Sequence, residues 1–252
     1  MNLKDKKFIL SRPYKVVYQD GNKVVKVFTK EHPKANVFNE ALCQARVEET
    51  GLHIPKVLEV INIDGEWALV LEYFEGKTLS KLMKETPGET DVLLEKFVDL
   101  QLTMHTKSAP RLTLQKDKLK RKINSLKDTL DASTRYELQT RLDSMPTHTK
   151  LCHGDFNPSN VIVQPDGKMA IVDWSHATQG NASADAAITY LQFALKDQDL
   201  ADRYLRLFCK KSDTAIQYVQ KWLPIVAAAE LTKKDPTNTE FLMRWIDVFD
   251  YQ

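Results

Sequence analysis

The chain has 252 residues, 42% apolar and 28% charged, with 36 basic against 34 acidic side chains for a net charge of +2. That composition fits a globular protein of one large domain or two lobes, and the charge balance argues against nucleic acid or an anionic membrane as the main partner. The eight glycines, at 21, 51, 65, 76, 88, 154, 167 and 180, are too widely spread for a dinucleotide fingerprint, a P-loop or a G-x-S-x-G elbow, which sets aside three large enzyme classes.

Three widely spaced cysteines, Cys43, Cys152 and Cys209, form no disulfide framework and point to a reducing compartment. The first residues, MNLKDKKFILSRPYK, carry charge but no apolar core of signal-peptide length. The longest apolar stretch, Trp222–Ala229, contains Pro224 and falls far short of a membrane span. The expectation is a cytoplasmic protein.

In chain order, Phe8–Leu10, Tyr14–Gln19 and Lys23–Thr29 are rich in β-branched and aromatic residues, with a hairpin signal at Asp20-Gly21. A helix is predicted over Pro33–Thr50, with Pro33 in its first turn and Gly51 at its stop. Strands over Lys56–Ile63 and Trp67–Tyr73 follow, joined at Asp64-Gly65. From Gly76 onward the pattern turns helical. Thr78 caps a short helix through Glu85, and after Thr90 the residues Leu93, Phe97, Leu100 and Met104 share one face. Residues 115–145 predict a solvated helical pair, and Leu151–Trp174 predicts a strand, a loop and a hairpin. Helices are predicted over Ser183–Lys196, Leu200–Lys211, Thr214–Leu231 and Thr237–Phe249. The change from sheet to helix near residues 73–78 is the only boundary signal. It predicts an α+β protein with a small antiparallel-sheet lobe over 1–73, holding five strands and one helix, and a larger mainly helical lobe over 74–252.

The segment His153-Gly-Asp-Phe-Asn-Pro-Ser-Asn160 sets Asp155 and Asn160 in a proline-containing loop between apolar stretches. A hairpin follows: Val161–Val163 outward, a turn at Pro165-Asp166-Gly167, Met169–Val172 back. If Gln164 faces Lys168, Asn160 faces Val172; a two-residue turn would instead set Asn160 opposite Asp173. In either register Asn160 and Asp173 lie on adjacent rungs, where opposed Cα atoms are about 5 Å apart. Two hard oxygen donors at the open end of a hairpin, with Asp155 five residues upstream, suit Mg²⁺ completed by water and phosphate oxygens.

These residues, His153-Gly-Asp155…Asn160 with Ile171-Val-Asp173-Trp174, resemble the motif set of the aminoglycoside phosphotransferase and choline kinase family, small-molecule kinases of two-lobed protein-kinase-like fold. The resemblance extends over most of the chain. Val24-Val-Lys26-Val-Phe28 is similar to the strand bearing the phosphate-binding lysine, and Phe38-Asn-Glu40-Ala to the helix bearing its glutamate partner. Leu69-Val-Leu-Glu72-Tyr-Phe74-Glu-Gly76 is similar to the hinge that holds the base, Met104-His105 to the end of the helix before a variable insertion, and Gly180-Asn-Ala-Ser-Ala-Asp185 to the segment whose aspartate braces the catalytic loop. The resemblance implies Asp155 as catalytic base, Asn160 and Asp173 as Mg²⁺ ligands, Lys26 on the α- and β-phosphates of ATP or GTP paired with Glu40, and the backbone of Glu72 and Phe74 on the base. Phosphoryl transfer asks a protein mainly for positioning and charge neutralisation, which this division of labour provides. The acceptor expected is a hydroxyl of a small molecule, aminoglycoside-like or choline-like.

Two departures stand out. The turn Ser11–Lys15 has no glycine, so no residue of it is assigned, and position 175 is Ser where many relatives carry an acid. His153 is expected to be a buried orienting group. A Cys152–His153 dyad is disfavoured because neighbours on a strand point to opposite faces. Asp185 is expected to be structural, as a cap of its helix. The basic run Lys116, Lys118, Lys120, Arg121 and Lys122 lacks interleaved aromatics and predicts a solvated face. The C-terminal acids Glu240, Asp247 and Asp250 with the terminal carboxylate would form a wall suited to a cationic acceptor; the alternative is ordinary helix-surface charge. A protein kinase is the rival enzyme, opposed by the mere eleven residues between Asp173 and Asp185, which leave no activation segment. A catalytically silent nucleotide-binding module is the rival from another class, opposed by the retention of Asp155 with both metal ligands.

Overall fold

The structure is a computed structural model and describes residues 6–246. In chain order, β1 (Lys7–Arg12), β2 (Lys15–Asp20) and β3 (Lys23–Phe28) precede α1 (Lys34–Glu48), β4 (Val57–Ile63) and β5 (Glu66–Glu72). Then come β6 (Lys77–Thr78), α2 (Leu79–Glu85), α3 (Thr90–His105), α4 (Gln115–Asn124) and α5 (Ala132–Ser144). The short strands β7 (Lys150–Cys152), β8 (Val161–Val163), β9 (Met169–Ile171) and β10 (Thr178–Gly180) lead into α6 (Ala182–Ala194) and α7 (Gln198–Ser212). The chain continues with α8 (Ile216–Gln220), α9 (Leu223–Leu231) and α10 (Pro236–Ile246).

The chain divides into two compact units: the residues through Pro87 with Pro158–Ala177, and Gly88–Asn157 with the chain from Thr178 onward. The first unit holds an antiparallel five-stranded sheet in the order β1-β2-β3-β5-β4. Strand alternation decides what each face does. Val25, Val27, Ile63, Ala68 and Val70 bury one face. Phe28, Leu69 and Leu71 bury the other against Val37 and Ala41 of α1. Lys26 has the parity of Phe28, so it lies on the face that α1 covers. On α1, Val37, Glu40, Ala41 and Gln44 are buried at helical spacing, which sets Glu40 inward on that face. The helix ends at Glu48, and in the turn that follows Gly51 takes a φ of 70°, the left-handed conformation glycine adopts without strain.

The same unit carries a three-stranded sheet, β6-β8-β9. Thr78 caps α2 by accepting from the Lys81 amide at 3.2 Å, as expected from sequence. Gly76 is fixed by space: a Cβ there would lie 2.3 Å from the Val163 carbonyl oxygen.

In the second unit, one element departs from expectation. The helix predicted over Thr214–Leu231 is two, α8 and α9, and the second starts with Pro224 in its first turn. Proline has no amide to donate and its ring clashes inside a helix, so the chain breaks before it and restarts with it. The core that bears on the site is aromatic: Phe156, fully buried, stacks on Phe97 at 4.4 Å, and Phe97 meets Phe193 edge-on at 5.7 Å. Among the described residues no helix is long and apolar enough to cross a membrane.

Candidate active site

The first unit gathers three of the sequence-predicted site residues around one ammonium. Lys26 Nζ lies 2.6 Å from Glu40 Oε1 and 3.1 Å from Asp173 Oδ1. Burial alone would lower the Lys26 pKa, but the Asp173 and Glu40 carboxylates outweigh it and hold the amine above the ordinary lysine range. Glu48, a competing partner on the same helix, is committed elsewhere: its Oε1 accepts from the Val57 amide at 2.7 Å.

The hairpin register is resolved in favour of the longer turn. Val161 faces Ile171 and Val163 faces Met169. Gln164 N donates to Lys168 O, and Val172 N to Asn160 O, both at 2.9 Å. Asn160 therefore opposes Val172, with Asp173 one residue beyond. Gly167 takes the expected left-handed conformation at φ 84°. Asp173 is itself left-handed, at φ 65° and ψ 62°, a conformation a non-glycine residue holds only when its surroundings determine it. Ser175 turns its hydroxyl to Asp173 Oδ1 at 3.4 Å.

At the end of β5 the Glu72 amide donates to the Lys56 carbonyl at 2.9 Å. Phe74 stacks flat on His53, 4.6 Å between centroids, and His53 Nε2 meets Gln164 Oε1 at 2.5 Å. His53 thus ties the segment after β5 to the hairpin.

In the second unit, α6 holds the loop that carries Asp155. Asp185, Thr189 and Gln192 recur at helical spacing on one face, and each bonds a different part of the loop. Asp185 accepts from the Gly154 amide at 2.7 Å and the His153 amide at 3.2 Å, Thr189 Oγ1 donates to Phe156 O at 2.8 Å, and Gln192 Nε2 donates to Asp155 Oδ1 at 2.6 Å. The N-cap of α6 is Asn181, not Asp185, so the capping expectation is corrected and the bracing one stands. His153 is fully buried, and its Nδ1 accepts from the Asp155 amide at 3.2 Å, an orienting role as expected. Burial holds the Cys152 thiol well above its ordinary pKa, which removes it as a nucleophile.

Asp155 Oδ1 also receives Lys233 Nζ at 3.1 Å, and Lys233 pairs with Glu230 Oε2 at 2.6 Å. Desolvation opposes the Lys233 charge, but Glu230 and Asp155 together raise its pKa above the usual range. Lys122 Nζ stands 3.7 Å from Glu230 Oε1, so this member of the basic run is part of the cluster rather than a solvated charge. Lys233, Gln192 and His53 were not found by motif. Only the spacing of Gln192 from Asp185 and Thr189 on one helix face carries a signal in sequence. Of the C-terminal acids, Glu240 pairs with Arg244 at 2.5 Å, while Asp247 and Asp250 lie outside the described residues.

Asp185 lends itself to a stability test. Burial would raise its pKa, but the hydrogen bond and charge of His105 Nε2, 3.0 Å away, and the Gly154 amide hold it below the ordinary carboxylate value. A depressed folded-state pKa contributes stability that is present above the unfolded value of about 3.9 and fades as pH falls through the lower folded value. Asp185→Ala is expected to cost about 3–5 kcal/mol at neutral pH, roughly 6–20 °C in Tm for a chain this size. The gap should narrow below about pH 4. Calorimetric melts at several pH values check this, and a pH-independent gap would assign the loss to packing.

The family model of the phosphotransferase enzyme family matches residues 9–222. No curated protein matches the sequence. Among solved structures, aminoglycoside phosphotransferase APH(4)-Ia is similar with a TM-score of 0.70 at 14% identity, over 96% of this chain and 90% of that one. A thermostable mutant of it, in ternary complex with ADP and hygromycin B, gives 0.68 at 14% over the same shares. Choline kinase LicA from Streptococcus pneumoniae gives 0.66 at 17%, over 96% and 95%. At these identities the likeness establishes the two-lobed protein-kinase-like fold, while the family match covers most of the chain. The chain belongs to the phosphotransferase enzyme family.

Proposed function

We propose that this protein transfers the γ-phosphate of ATP or GTP to a hydroxyl of a small molecule, aminoglycoside-like or choline-like, with Mg²⁺. The observation that carries the reading is the buried Lys26–Glu40 pair with Asp173 3.1 Å from the same ammonium. A charged lysine held by two carboxylates on a sheet, a helix and a hairpin is an electrostatic device with no packing purpose. A buried pair of this kind is by itself poor support for stability. Lys26, positioned by Glu40, binds the α- and β-phosphates. The segment Glu72–Phe74 takes the base through its backbone. Asp155 accepts or orients the proton of the attacking hydroxyl, held in place by Gln192 and the loop amides.

Asp173 and Asn160 offer one carboxylate and one amide oxygen, a donor set that fits a hard, oxygen-seeking dication. Mg²⁺ bound there would neutralise charge on the phosphate oxygens. We assign residues 1–73, which lie within the first unit, to nucleotide binding, and residues 74–252, which hold the rest of the first unit with its β8–β9 hairpin as well as the second unit, to catalysis and acceptor binding. The three buried cysteine thiols accord with work in the reducing cytoplasm. Around Asp155, Lys122 and Lys233 balance Glu230 and Asp155, so the local field does not select a polycation over a neutral hydroxyl compound.

A coupled nucleotide-consumption assay tests the reading, with ATP and GTP run separately across amino sugars, choline-like alcohols and neutral polyols. Acceptor-stimulated, Mg²⁺-dependent consumption is expected for at least one class. Tight nucleotide binding without turnover across the panel would favour the silent module.

A further inference from the structure

The two-residue turn between β1 and β2 is poorly equipped to hold phosphates. Arg12 pairs with Lys15 across the strands, so Pro13 and Tyr14 form the turn. There is no glycine to let the backbone approach closely, and Pro13 has no amide to donate. A triphosphate still needs its charge met on that side.

Lys15, the first residue of β2, stands where such charge is useful. Val17 pairs with Lys26 and Lys15 pairs with Phe28 across β2 and β3. Lys15 therefore lies two residues from Val17 on the same sheet face as Lys26, on a diagonal within reach of long side chains. Its Nζ is 3.5 Å from Asp173 Oδ2 and 3.8 Å from Glu40 Oε1, and lies over the Phe28 ring at 5.9 Å. Its side chain is 19% exposed, unlike an ordinary solvated strand lysine. Asp173 thus receives one ammonium on each oxygen, Lys26 on Oδ1 and Lys15 on Oδ2. Two carboxylates, Glu40 and Asp173, balance two lysines. Glu40 is the closer partner of Lys26, at 2.6 Å, which leaves Lys15 more loosely held.

We propose that Lys15 is a second phosphate-binding ammonium, working beside Lys26 and replacing the backbone amides that a glycine-rich turn would supply. The inference rests on the phosphotransfer reading. A lysine suits the task because its ammonium is a compact charge with three donors on a flexible stem, able to swing from Asp173 to a phosphate oxygen. The contribution expected is that of one or two charge-assisted hydrogen bonds.

Titration calorimetry with ADP, AMP and adenosine, in the absence of any acceptor, tests this without reading activity. Lys15→Met should weaken ADP roughly ten- to a hundredfold and leave adenosine within about twofold. Lys15→Arg should recover much of the ADP affinity, and the salt dependence of ADP binding should flatten in Lys15→Met. Lys15→Gln serves as a second neutral variant, with thermal melts confirming the fold of each. ADP affinity unchanged in folded Lys15→Met or Lys15→Gln, while the wild type binds ADP, overturns the inference and leaves the phosphotransfer reading standing. Equal loss of adenosine and ADP overturns it too, by assigning Lys15 to general architecture. A wild type that binds neither ADP nor ATP overturns the phosphotransfer reading itself.

Discussion

Asp155→Asn is expected to lower turnover by about 10²–10⁴-fold and to change nucleotide affinity by no more than about twofold. The substitution keeps the shape and removes the carboxylate that is proposed to take the hydroxyl proton. The loop itself should survive. Its placement depends on the His153 and Gly154 amides to Asp185, on Phe156 stacked against Phe97, and on Thr189, none of which involves the Asp155 side chain. Gln192 Nε2 can still donate to an amide oxygen at position 155, while the attraction to Lys233 falls from ion pair to hydrogen bond. The expected signature is therefore a fall in kcat, with the KM for nucleotide little moved and an unchanged melt. Turnover near that of wild type would remove Asp155 from the proposed role as base while leaving the fold and the phosphate-facing residues untouched.

Local grammar made the fold legible. Alternating β-branched residues with Asp-Gly turns marked the strands, and Pro165-Asp166-Gly167 admitted the observed hairpin register, with Asn160 opposite Val172. Lys26 and Glu40 were legible through resemblance, and strand parity with helical spacing explains physically why they meet. What escaped the sequence was tertiary convergence. Lys233, just beyond α9, and Lys122, on α4, look like solvated charges when met singly, the commonest fate of lysine. Only the folded chain brings them to Glu230 and Asp155. Lys15 carries no motif of its own, and only the fold sets its ammonium between Asp173 and Glu40. Asp185 sits in the first turn of α6, where an acid usually interacts with its own helix, yet this one turns to the loop at 153–154. The break before α9 was foreseeable from Pro224, since an apolar run does not by itself keep a helix continuous through a proline.

Asp173→Ala is expected to abolish Mg²⁺-dependent turnover and, in binding measurements, to remove most of the gain in ATP affinity that Mg²⁺ confers. Asp173 supplies the only carboxylate of the proposed ligand pair, and a hard dication with few protein ligands depends heavily on each charged one. Asn160→Ala should weaken turnover less, with part of the loss recovered at high Mg²⁺, because the carboxylate remains. Two side effects need separating from metal loss. Removing the carboxylate frees Lys26 and Lys15 from Asp173 and leaves both to Glu40. Position 173 is also left-handed, a conformation Asp and Asn tolerate better than Ala. Asp173→Asn keeps that tolerance and removes the charge, so it should retain the melt of wild type more closely than Asp173→Ala while sharing its loss of Mg²⁺ dependence. A magnesium titration of turnover and of ATP affinity across the three variants distinguishes these effects. If Asp173→Asn and Asn160→Ala both titrate like wild type, the hairpin end is not the metal site, and the left-handed strain at Asp173 must serve only to place a carboxylate between two lysines.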